Sequence, residues 1–356
     1  MRLVLLASAL LLWLLPEPSA AAPLRDPCAG RAGKWTALSL TPADSIGAAM
    51  ACEAPGFRLT LADGWYKQVF DVPAGLDGWD IGGGSAARVK LDGQGGCTVP
   101  NNNAGSCPTR LAWGKGVVHL SSAGTLHDLE VTGGGTNAEG EHDGQAGVYI
   151  DGGVNGTVTL RRLMLRRNEN GAFSNGTVAN ADIVVEQCDF VDNSTDGGSH
   201  SAYWSGGRSL TLTDVHDYGS LHGNNQKSRI PIVKVSGGFN QSREGRWVEC
   251  ADGCRLTITG GTYVGNTCCR NVFGNGTEST SKGPGDTSWT GSTIWIGRAS
   301  NFANAGRFEG KNLKLLEGSV SATVYNDKGG ELTGLDLSHA KPAEAPPAPP
   351  FVSGAN

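Results

Sequence analysis

One recurring spacing constrains the fold more than any other feature of the chain. It reads apolar, two residues, apolar, one residue, apolar, then Asn or a small residue three positions on. Leu126, Leu129, Val131 and Gly134 fit it, as do Leu160, Leu163, Leu165 and Asn168, and Val185, Cys188, Phe190 and Asn193. Leu212 and Val215 follow, with Asp217 and Ser220 in the later slots, and then Ile258, Gly261, Tyr263 and Asn266. Gly310, Leu313, Leu315 and Gly318 continue the series, and Leu332, Leu335 and Leu337 close it. The steps from 212 to 258 and from 258 to 310 are near twice the short ones, so each hides one degenerate coil. A period of roughly 22–27 residues is one turn of a parallel β-solenoid.

Within a repeat, Val158 and Leu160 are two residues apart, and so are Leu163 and Leu165, which is strand alternation. The extra residue between the pairs shifts the phase and places a bend between two short strands. The closing Asn suits a turn whose left-handed residue recurs from coil to coil. Composition agrees: 54 glycines in 356 residues and 18% charged residues favour short strands and tight turns over long helices. Residues 23–110 are less regular. Phe57-Arg58-Leu59-Thr60-Leu61 and Arg88-Val89-Lys90-Leu91 read as first coils, with an N-terminal cap over the open core. Residues 341–356 are rich in Pro and Ala and read as a disordered or extended tail, leaving 22–340 as the solenoid.

The start of the chain reads as an export signal over residues 1–21. Arg2 precedes the apolar run Leu3 to Leu15, and Ser19-Ala20-Ala21-Ala22 offers small residues for cleavage. The expected location is therefore secreted or periplasmic, with no membrane span in the mature chain. Disulfides are the default for the nine cysteines of an exported protein. Cys97 and Cys107 bracket one polar loop, and Cys250, Cys254, Cys268 and Cys269 form a second group without zinc-ligand spacing. Nine is odd, and Cys188 occupies the slot of Leu129, Leu163 and Val215, so it is expected to be the free, buried thiol. Five sequons, at Asn155, Asn175, Asn193, Asn240 and Asn275, are either glycan acceptors or plain turn residues. A net charge of −5 argues against nucleic-acid or anionic-membrane binding.

The repeat, the glycine content and the export signal resemble the pectate-lyase-like superfamily over roughly residues 50–340. That resemblance implies an all-β chain, a single-stranded right-handed parallel β-helix. The superfamily holds polysaccharide lyases, glycoside hydrolases, uronan epimerases, phage tailspikes and adhesins, so the fold does not choose a function.

The window 200–247 stands out. It carries six cations (Arg208, Lys227, Arg229, Lys234, Arg243, Arg246) against Asp214, Asp217 and Glu244, and three of the seven histidines. Such a patch, with Tyr203, Trp204, Tyr218 and Trp247, suits an anionic sugar chain. In Gln226-Lys227-Ser228-Arg229-Ile230-Pro231-Ile232, inward Ser228, Ile230 and Ile232 would turn Lys227 and Arg229 outward together, about 7 Å apart. Lys227 is then expected as the base, its proton affinity lowered by Arg229, and Arg229 as the clamp on a uronate carboxylate. His200, Tyr203, His216 and His222 lie one coil or less upstream and are the candidate proton donors. The expected reaction is β-elimination or C5 epimerisation of an acidic polysaccharide by a monomer that requires no cofactor.

The run Ser199-His200-x-x-Tyr203, His216, His222 and Lys227-Ser228-Arg229 also resembles a signature of secreted bacterial β-helix proteins, with Ser201-Ala202 where Asn-Ile is usual. It marks a site without naming a reaction. The alternative reading is a polygalacturonase-like hydrolase. Asn193-Ser194-Thr195-Asp196-Gly197 and His222-Gly223 echo two of that family's segments, with Asp196, Asp214 and Asp217 as its carboxylates, but an adjacent Asp pair is missing. Calcium is an optional ligand for Asp192, Asp196, Asp214 and Asp217. A non-catalytic carbohydrate-binding or adhesin solenoid would use the same patch without reaction.

Overall fold

The computed structural model describes residues 23–30, 33–93, 116–134, 146–194, 199–265, 271–278, 283, 285–297, 300–318, 324–326, 328–335 and 340–354. The expected signal segment 1–21, the loop bracketed by Cys97 and Cys107, Asp196, Asn266, Cys268, Cys269 and Leu337 lie outside the described residues. Within them the chain winds through three parallel sheets of twelve, eleven and ten strands. Each coil visits them in that order. Asn155–Arg161 is followed by Met164–Arg166 and Asn170–Ser174, and Asn180–Glu186 then returns to the first sheet. This is the right-handed parallel β-helix, with its hand set by strand twist.

Side chains stack in register up the helix. Leu126, Leu160, Val185, Leu212, Val235, Ile258 and Trp289 form one rung. Val235 and Trp289 are the two coils hidden in the long sequence steps. Their second slots hold Gly238 and Ser292, so the apolar spacing fails there. The last rung departs from the simple repeat, because Leu332 pairs with Phe308 and not with Gly310. Phe308 is fully buried and supplies the apolar group that glycine lacks. Each fully buried Leu, Val or Phe of such a rung contributes about 1.5–3 kcal/mol by leaving water.

The corners use asparagine differently from the sequence reading. Left-handed backbone falls on Asp128, Arg162, Gln187 and Asp214 at the bend between the first two strands of a coil. At the next corner it falls on Arg167 and Asp192, the residues just before Asn168 and Asn193. The asparagines themselves turn inward. The Asn168 amide donates to the Val131 carbonyl (3.1 Å) and to Asn193 Oδ1 (3.2 Å), and the Asn193 amide donates to the Leu165 carbonyl (2.8 Å). These ladders satisfy backbone groups that the sheets leave unpaired at a corner. Asn193, Asn240 and Asn275 are thus buried, and only Asn155 and Asn175 present sequons toward solvent.

The N-terminal end is closed. The helix Ile46–Cys52 begins at Ser45, whose hydroxyl accepts from the Ala48 amide, and lays Ile46, Ala49 and Met50 on the open core. A Cys28–Cys52 disulfide ties it down. The expected first-coil segments match the strands Glu53–Leu61 and Val89–Asp92, except that Arg88 lies just before the second. The Pro/Ala-rich C-terminal segment is extended and docked rather than disordered. Lys341–Pro342 adds a strand beside Leu316 and Glu317, and Trp295 Nε1 donates to the Ala343 carbonyl at 3.0 Å. Farther on, Tyr218 donates to the Pro349 carbonyl (3.1 Å), and the amides of Val352 and Ser353 donate to the Asp189 carboxylate (3.1 and 2.7 Å). Phe351 packs edge-on against Tyr218 and beside Met164 and Val191. The segment is a strap along the outer face of the eleven-stranded sheet.

Candidate functional site

The ten-stranded sheet carries one outward row of side chains, fixed by register: Asp71, His119, Tyr149, Phe173, Tyr203, Lys227, Glu249 and Gly274. Strand alternation puts Gln226 and Ser228 inside and Lys227 outside. Arg229 emerges just past the strand, its backbone amide donating to the Trp204 carbonyl at 2.9 Å. Ile230 is buried, as its spacing predicted. Ile232 is not: it is 38% exposed, because Pro231 ends the run and Ile232 opens a strand of the next sheet.

Lys227, Arg229 and Tyr203 meet. Lys227 Nζ lies over the Tyr203 ring, 5.3 Å from its centre, and Arg229 Nε donates to the Tyr203 hydroxyl oxygen at 2.8 Å. Between the two cations stands Glu278, with one carboxylate oxygen 2.7 Å from Lys227 Nζ and the other hydrogen-bonded by Arg229. Arg229 also pairs with Asp252. Glu249, buried next to Lys227 in the row, accepts from Arg246 (2.6 Å), from the Thr277 hydroxyl (2.6 Å) and from the Asn224 amide. Burial acts to raise the Glu278 carboxyl, but Lys227 and Arg229 outweigh it and hold it below the usual carboxylate range. Burial likewise opposes the charge on Arg229, but its bonds to Tyr203 and Glu278 hold that group above its ordinary value.

Two expectations change here. The excess of cations read from the window 200–247 is cancelled by Glu249, Asp252 and Glu278, which the following coils deliver. Arg229 also does not crowd Lys227 directly, because the Glu278 carboxylate stands between the two. Glu249 was findable, since it lies one coil beyond Lys227 in the same row. Glu278 comes after its strand ends and carries no repeat signal.

His200 joins the group from the preceding coil, its ring edge-on to Tyr203 at 5.3 Å. Its Nδ1 accepts from the Asn224 backbone amide at 3.0 Å, so the hydrogen of the neutral ring sits on Nε2. Gly223 makes that approach feasible: its φ is +61°, and a Cβ there would come within 2.0 Å of the Ser199 carbonyl oxygen. His222 is exposed at the rim, 3.3 Å from Glu244. His216 is set apart on the eleven-stranded sheet, between Asp189 (3.6 Å) and Asp214 (3.8 Å) under the strap. Burial pulls its proton affinity down against those two carboxylates.

Of the acidic residues considered as hydrolase or calcium ligands, the three among the described residues do not converge. Asp192 binds Arg243 at 2.8 Å, Asp214 sits on a bend, and Asp217 points into the core. Asp217 takes the rung slot of Leu165, Phe190 and Tyr263, directly behind the site. It accepts from the Ser201 hydroxyl (3.1 Å) and from Gln226 Nε2 (3.0 Å), while Gln226 Oε1 accepts from Trp204 Nε1 (3.0 Å). Burial pushes the Asp217 carboxyl up to about 7, against the pull of these hydrogen bonds. Among the described residues no His, Cys, Asp and Glu side chains group to hold a metal ion, and no helix is long and apolar enough to cross a membrane.

No protein-family model matches the sequence, and no curated protein does. Solved structures with a similar chain path include pectin methylesterase PemA from Erwinia chrysanthemi, at 8% identity and a TM-score of 0.38, over 88% of this chain and 94% of that one. A pectin methylesterase in complex with hexasaccharide VII has 8% identity and a TM-score of 0.37, over 84% and 89% of the two chains. Pectin methylesterase from carrot has 10% identity and a TM-score of 0.32, over 89% and 90%. Likeness at these levels says nothing about activity.

Proposed function

We propose that the outward face around Tyr203, Lys227 and Arg229 binds the carboxylate of a uronate in a polysaccharide and transfers the proton beside it. One observation carries this reading: Glu278 bridges Lys227 and Arg229 with its two carboxylate oxygens. The two cations are therefore spaced to hold a carboxylate between them, and a uronate takes the same seat when Glu278 swings aside. Neutralising the sugar carboxylate acidifies the C5 hydrogen. Tyr203, whose oxygen faces Arg229, is then in place to move that proton. His200 presents an N–H at Nε2 for the departing glycosidic oxygen. In β-elimination the Tyr203 oxygen, its own proton first lost to solvent, takes the C5 proton and passes it to the glycosidic oxygen as the C4–O bond breaks and a C4=C5 double bond forms. In epimerisation the proton returns to the opposite face and no bond of the chain breaks. Lys227 acts here as a clamp beside Arg229, not as the base.

The test is incubation with a panel of polyuronates, following ultraviolet absorbance of an unsaturated sugar and uptake of solvent deuterium at C5. Activity in either assay that falls about 10²–10⁴-fold in Tyr203→Phe supports the reading. Absence of both signals on every polyuronate, with polysaccharide still bound, transfers the protein to the binding-module class. The Asp252 and Glu278 carboxylates on one guanidinium favour a second reading, glycoside hydrolysis. It is recognised by new reducing ends that appear without absorbance.

A further inference from the structure

We infer that this site takes the end of a sugar chain, about two residues deep, and not the middle of a polymer; the inference rests on the uronate reading above. The outward row is continuous in contact but not in access. His119 and Tyr149 sit edge-on at 5.6 Å, Tyr149 and Phe173 are stacked at 5.1 Å, and Phe173 and Tyr203 are edge-on at 5.4 Å. Phe173, Tyr203 and Lys227 are half-buried and reach the surface. On one side the row closes at Tyr149, which is 8% exposed and accepts from the Asn175 amide at 3.0 Å. Next to it His119 is 5% exposed between Asp71 (2.9 Å) and Asp151 (3.0 Å). On the other side Glu249 is 2% exposed beneath Arg246 and Thr277, so the rest of the sugar chain leaves the site past Lys227 over those two side chains.

The open stretch therefore spans the two coil steps from Phe173 to Lys227, about 10 Å at the spacing of neighbouring strands. That length suits a disaccharide. Its ends differ in chemistry. One is the apolar face of Phe173, against which a sugar ring packs. The other is the carboxylate seat of Lys227 and Arg229. A uronate at the seat places its neighbour over Phe173, and a third residue in that direction meets the closed wall at Tyr149.

Two measurements test this. In calorimetric titrations with oligogalacturonates and oligomannuronates of two to six residues, affinity should stop rising at the dimer. Phe173→Ala should weaken dimer binding about tenfold, the scale of one lost aromatic face, and leave monomer binding within about twofold. Affinity that climbs steadily to the hexamer, or a Phe173→Ala variant that binds the dimer as wild type does, overturns the inference and leaves the uronate reading standing. Failure of every uronate to bind overturns both. The wild-type length series does not depend on how the variant folds. For a chain-cleaving activity, dimers should accumulate from the first turnover while viscosity falls slowly. Early collapse of viscosity with a broad spread of oligomers also overturns the inference.

Discussion

Raising the pH through neutrality should weaken the fold by a predictable amount at one residue. Asp217 fills a core slot, and burial pushes its carboxyl from an ordinary 3.8 up to about 7. Between those values the folded chain keeps a proton that the unfolded chain has released. Stability from this group is therefore complete below about pH 4, falls as pH rises, and is lost above about pH 7. A difference of about three pKa units corresponds to about 4 kcal/mol, of which about 2.5 kcal/mol is lost between pH 5 and pH 8.5. The control is Asp217→Asn, which cannot titrate. Its Oδ1 can accept from Gln226 Nε2, whose orientation Trp204 fixes, but its Nδ2 then faces the Gly219 backbone N–H donor to donor, where Asp217 accepts at 3.3 Å. The variant should thus be about 1–3 kcal/mol less stable at pH 5. Urea unfolding followed by tryptophan fluorescence at pH 5, 7 and 8.5 gives both curves. Glu53, whose carboxyl burial also raises to about 7, contributes to both and cancels in the difference. The wild-type advantage should shrink by about 2.5 kcal/mol over that range. A difference that stays constant to within about 0.5 kcal/mol would show that Asp217 ionises as an ordinary carboxyl, and the burial reasoning would fall.

Cys188 should resist chemistry as well as pairing. Burial pushes its thiol up to about 12, so iodoacetamide should label it only after denaturation, and labelling of the native protein would contradict the buried slot. A chain ending at residue 339 should expose Trp295 and Tyr218 and leave Asp189 without its two amide donors. Its tryptophan emission should shift to the red and its melting temperature drop; an unchanged spectrum and melting point would mean that the strap does not hold that face.

Coil positions were readable because each rung repeats one chemical requirement, an apolar side chain at a fixed phase. Val235 and Trp289 escaped only because Gly238 and Ser292 share their coils, and spacing alone cannot see a slot left small. The strap escaped for another reason. Proline-rich composition describes how the free segment behaves, whereas its docking depends on Asp189, Tyr218 and Trp295, which lie far off in sequence and form one surface only after coiling. The same holds at the site. Tyr203 and Lys227 were legible together because they are one period apart, and Glu249 obeys the same rule one period later. His216 fell within the same stretch of sequence but in another strand of its coil, and a period says nothing about which sheet a residue joins. Glu278 and Asp252 reach the guanidinium from loops, where the repeat places no constraint.

The strap also changes how the molecule can come apart. In a stack of coils that touch only their neighbours, the ends fray independently and the middle unravels last. Here the C-terminal residues reach back past several coils, so Ser353 is held by Asp189 while Lys341 lies beside Leu316. The terminal coils cannot peel away until that far anchorage lets go. Slow amide exchange in the coil of Leu316 should therefore track that in the coil of Asp189, as though the two were adjacent, and a load applied at the C-terminus is borne first by the middle of the stack.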